Sequence, residues 1–144
     1  MTTTHTTATA SVLTADERLT LMTAAHGVTG LMASADPGAV SSTKAGIAAG
    51  KALSSATGLV GHVLSAKPKG LHLGGRSTAD LADQVLPALT RSMAVLREKA
   101  PDEVENFRLT IRTAVQAALE SRRRGGGPAR TAMAHKIEVA LDAA

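Results

Sequence analysis

The chain has 144 residues, a net charge of +4, no cysteine and one aromatic residue, Phe107. That length suits one domain with its own core, and an apolar content of 44% excludes global disorder. The lack of cysteine excludes disulfides and thiolate chemistry, and the near absence of aromatics argues against a β-sandwich and against base-stacking recognition of single-stranded nucleic acid.

Residues 1–13 are Thr-rich and aperiodic, which predicts a disordered N-terminal tail. They lack the basic and apolar regions of a signal peptide, so a cytoplasmic location is expected. The domain is expected over residues 14–142. Thr14 and Glu17 have the spacing of a capping box, with Asp16 adding charge suited to a helix start. Leu21, Ala25, Val28 and Met32 then share one face of a first helix, which Asp36-Pro37-Gly38 stops.

Ser41 or Ser42 can cap a second helix running to about Ala66. Gly46, Gly50, Ser54 and Gly58 make a face of small residues along it. Each interior glycine costs a helix about 1 kcal/mol relative to alanine, so this helix requires close packing against another helix, in the same bundle or in a second copy. Lys51 and His62, with four glycines between Ala45 and Ala66, make the stretch too polar for a membrane span.

Residues 67–76 read as a loop. Ser77 and Asp80 mark the next helix start. Leu81, Val85, Leu89 and Leu96, widened by Leu86 and Met93, form a broad stripe that predicts a central, mostly buried helix. Pro87 lies inside it and predicts a kink or break near residues 83–87. Pro101 opens another helix with Asp102 and Glu103 in its first turn. Val104, Phe107, Ile111, Ala114 or Val115, and Ala118 form its buried face. Glu103, Glu105, Arg108, Arg112 and Gln116 are expected to face water. Gly125–Gly127 end it, and Pro128 opens a last helix with Met133, Ile137 and Leu141 on one side. The fold class is therefore all-α, a single-domain bundle of five or six helices.

Three sets of residues could carry function. Lys67, Lys69, His72 and Arg76 lie on a glycine-rich loop before a helix start, and Arg122, Arg123 and Arg124 with Arg130 flank the triple glycine. Both are candidates for an anion or for nucleic-acid phosphates; helix-end neutralisation and a solvated loop explain the same charges. The spacing is neither a P-loop nor a dinucleotide fingerprint. Gly46, Gly50, Ser54 and Gly58 are the candidate helix-packing interface. His26 and His62 fall on successive helices and could meet, but no second metal ligand accompanies either at helical spacing. No catalytic residue, metal site or cofactor is expected.

Ala100-Pro101-Asp102-Glu103-Val104-Glu105-Asn106-Phe107, followed by an alanine-rich helix, a glycine break and a short last helix, resembles a family of small, uncharacterised, all-helical bacterial proteins. The first half is similar through its alanine-rich helix running into Ser34-Ala35-Asp36-Pro37-Gly38. More distantly, the two-halved helical layout resembles the TerB-like (tellurite-resistance) domains. Those domains carry an acidic turn in each half, implicated in metal binding. Here Asp36 matches, whereas Ser41, Ser42 and Thr43 stand where an acid is needed and no second Asp-Gly turn is present. The resemblance implies a helical fold and, at most, a stress-response protein with a degenerate metal site.

The function expected from these readings is a non-enzymatic helical interaction module that self-associates as a homo-oligomer. The alternative is binding of an anion or nucleic acid by the basic segments.

Overall fold

A computed structural model describes residues 12–35, 39–66, 73, 77–121 and 127–144. These residues form helices α1 (Ala15–Ser34), α2 (Ala39–Ser54), α3 (Gly58–Ser65), α4 (Thr78–Lys99), α5 (Val104–Glu120) and α6 (Pro128–Asp142), with a 3-10 turn at Pro101–Glu103. No strand occurs among the described residues. The all-α bundle expected from the sequence is thus observed. No helix of the described residues is long and apolar enough to cross a membrane.

Helix starts follow the local chemistry. At α1 the Thr14 hydroxyl accepts from the Glu17 amide at 3.1 Å, and Glu17 Oε1 accepts from the Thr14 amide at 2.8 Å. This satisfies two of the amides that a helix start leaves unpaired. Ser77 caps α4 by accepting from the Asp80 amide at 3.1 Å. Leu13, just before the α1 cap, is only 2% exposed and belongs to the core.

The long second helix is divided. After Ser54 the chain turns, and Gly58 starts α3 at φ +69°, a left-handed conformation that costs glycine least. Further along α3, a side chain at Gly61 would overlap the Ala56 carbonyl. The glycines read as helix-compatible thus permit the reversal that ends α2. The opposite occurs at Pro87: α4 continues through it. Pro87 is exposed, so the carbonyl it deprives of a partner can turn to water.

The most buried helix is α1, not α4. Leu21, Ala24, Ala25, Val28, Leu31 and Met32 are fully enclosed, and α1 packs against every other α-helix. Its largest neighbours are α4 and α2; α5 packs on α2, and α6 on α4. Leu89, Met93 and Leu96 from α4, Phe107 and Ile111 from α5, and Ile137 and Leu141 from α6 complete the core. Gly27 allows the close approach of α1 to α4: a side chain there would stand 2.9 Å from Val85 Cγ1 and closer still to Cγ2.

Candidate functional site

The basic loop residues Lys67, Lys69, His72 and Arg76, the cluster Arg122, Arg123 and Arg124, and Asp36 lie outside the described residues. Arg130 is described, and it is 1% exposed. Its Nη1 donates to the Ala118 carbonyl at 3.0 Å. This satisfies a carbonyl in the last turn of α5, where a helix lacks internal donors and favours a cation. Arg130 therefore anchors α6 to the end of α5 and is withdrawn from any external anion.

The small-residue face is distributed among several surroundings. Gly46 faces α1: a side chain added there would begin 3.7 Å from Ala33 Cβ, at ordinary contact distance. Gly50 has no atom within 4 Å of where a side chain would start, and it lines a cavity between α1, α2 and α3. Ser54 is exposed. Gly58 begins α3 instead of extending α2, and its neighbour Leu59 donates its amide to Glu103 Oε1 at 3.1 Å. Glu103, expected in water, thus reaches back across the bundle. His26 and His62 line different cavities: His26 shares one with Gly50 and Gly61, His62 another with Asp16 and Met22.

A cleft of about 590 Å³ lies between α5 and α6. Ile111, Val115, Leu119, Ile137 and Leu141 supply its apolar lining, and Arg112, Gln116, Glu120 and Glu138 its polar edge. Arg112 pairs with Glu138 across the two helices through Nε at 2.8 Å. This hydrogen bond raises the Arg112 pKa above its ordinary value, so the guanidinium remains charged at any physiological pH. Gln116 donates to Glu120 at 2.9 Å. At the other end Arg108, 13% exposed, pairs with Asp142 of α6 and with Glu105 at 3.6 Å. The pairs Arg112–Glu138 and Arg108–Asp142 therefore bridge α5 and α6.

Two large apolar residues on these helices are exposed: Leu109 at 64%, and Val139 at 54%, which lines a separate cavity between α4 and α6. Leu109 lies one turn before Thr113, which lines the cleft. The sequence held a signal for it, since Leu109 falls off the Phe107–Ile111 stripe. The cleft had none, because Ile111, Val115, Ile137 and Leu141 of its lining belong to the expected buried faces of α5 and α6. Among the described residues no group of three or more His, Asp or Glu side chains could hold a metal ion. No protein-family model, curated protein or solved structure matches the chain.

Proposed function

We propose that this chain is a non-enzymatic helical interaction module that self-associates through the α5–α6 face. The cleft between these helices carries the reading: it is apolar inside, rimmed by paired charges, and accompanied by Leu109 exposed one turn from its mouth. Grooves of this kind receive an apolar side chain or helix face from a partner. A two-fold arrangement lets the Leu109 of each copy enter the cleft of the other, so one surface serves both sides. Gly46 meets Ala33 and Gly58 meets Glu103 within the chain, and the association surface proposed is α5 and α6 instead of the small-residue face.

Sedimentation equilibrium tests this reading. The wild type is expected at dimer mass, and Leu109→Asp at monomer mass with an unchanged far-ultraviolet spectrum. A wild type that stays monomeric up to its solubility limit removes the proposal. The alternative, anion or nucleic-acid binding by the segments around Lys67–Arg76 and Arg122–Arg124, rests on their charge. It requires an affinity that falls steeply with salt and is lost on charge reversal at Arg122, Arg123 and Arg124.

A further inference from the structure

Between α1, α2 and α3 lies a cavity of about 220 Å³ that plays no part in the proposed association. Gly50 opens it, Gly61, Leu53 and Leu64 line it, and His26 and Thr29 border it from α1. Two atoms beside it stand out. His26 Nε2 and Thr29 Oγ1 have essentially no solvent exposure and no hydrogen-bond partner among the described residues. They are three residues apart on α1 and so share one helix face. Buried polar atoms are almost always paired, and leaving one unpaired costs about 1–3 kcal/mol. Two on one face, next to a cavity that Gly50 leaves open, indicate a site whose hydrogen bonds are completed from outside the described residues, as a bound molecule would complete them.

The lining defines the chemistry of the occupant. Among the described residues no Asp, Glu, Lys or Arg borders the cavity, so an anion or cation placed there would lose its hydration without a counter-charge from them. Ser54 and Ser65 donate to the Lys51 and His62 carbonyls, both at 2.9 Å, which leaves their hydroxyl oxygens free to accept. Thr29 can donate or accept, and so can a neutral imidazole. The χ2 torsion of histidine is broad, so the His26 ring can adjust to a ligand beside it. The matching ligand both donates and accepts, carries no charge, and has a short branched aliphatic body to lie against Leu53 and Leu64.

We propose that the α1–α2–α3 cavity binds a small uncharged amide or alcohol, held by His26 and Thr29 and seated over Gly50. Isobutyramide serves as the probe, and isobutyrate as its charged counterpart of the same shape. The full chain is titrated with each while backbone amide shifts are followed by NMR. Isobutyramide is expected to give saturable shifts at Gly50 and Gly61 with a millimolar dissociation constant. Isobutyrate should bind about tenfold more weakly or not at all, the cost of an uncompensated buried charge. Gly50→Leu, which grows into open space, should abolish the shifts while keeping the far-ultraviolet spectrum. Thr29→Val, which keeps the shape and removes the hydroxyl, should weaken binding about tenfold. Absence of saturable shifts in the wild type overturns the site, whatever the variants do. Equal binding of isobutyrate overturns the uncharged ligand class, and unchanged binding by folded Gly50→Leu overturns the location.

Discussion

Two glycines with the same helix propensity are expected to respond to alanine with opposite signs. At Gly27 the new methyl group would press on Val85, 2.9 Å from Cγ1 and 3.1 Å from Cβ. The whole β-branched side chain must move, since its rotamer is stiff. Overpacking costs about 1–3 kcal/mol and the better propensity returns up to about 1. Gly27→Ala should therefore destabilise by about 1–2 kcal/mol. At Gly50 nothing lies within 4 Å, so Gly50→Ala should stabilise by about 0.5–1 kcal/mol. Urea unfolding followed by circular dichroism at 222 nm measures both; equal signs would show that the α1–α4 approach is looser than described. Phe107, the one aromatic residue, is fully buried, and its truncation to alanine should cost about 3–5 kcal/mol.

Helix starts were legible because their signals are local: Thr14 with Glu17, Ser77 with Asp80, and Pro128 each act within one turn. Glycine and proline were harder, since their effect depends on what lies beside them. Gly58 and Pro87 both interrupt helical propensity, yet only the first coincides with a break. At the α2–α3 turn the decisive residues come from far along the chain. Glu103 accepts the Leu59 amide, and Asn106 donates to the Thr57 carbonyl at 2.8 Å and to Glu103 Oε2 at 2.7 Å. This pair acts as a cap for a helix of eight residues, too short to persist by itself. No spacing rule connects position 59 to position 103. The α1–α2–α3 cavity was hidden for the same reason: Thr29, Gly50 and Gly61 come from three helices. Glu103→Ala should cost about 1–2 kcal/mol, the value of a cap. Hydrogen exchange should quicken first in α3; protection lost evenly over the bundle would contradict a local role.

Over the whole molecule, the apolar stripes indicated which helices pack but not which is innermost. The broad leucine stripe of α4 looked central, whereas α1 holds that place because Ala24, Ala25 and Gly27 let neighbours approach on several sides. Small residues contribute little to a one-sided apolar pattern, so a helix enclosed all round shows weak amphipathicity. The ends of α1 and α4 are then tied by charge. Lys99 Nζ donates to Glu17 Oε1 at 2.8 Å, the oxygen that also accepts from the Thr14 amide. The Lys99 hydrogen bond, then that of Thr14, lowers the Glu17 pKa below its ordinary value. A carboxylate with a lowered folded pKa binds protons more readily in the unfolded chain. Its stabilisation is therefore full above the unfolded value of about 4.3 and is lost as the pH falls through the folded one. Glu17→Gln, which cannot ionise, should unfold more readily than the wild type at neutral pH, and the gap should close on acidification below about pH 4. Paired thermal melts across that range measure the gap. A difference that stays constant with pH would place the contribution of Glu17 in its capping geometry and not in its charge.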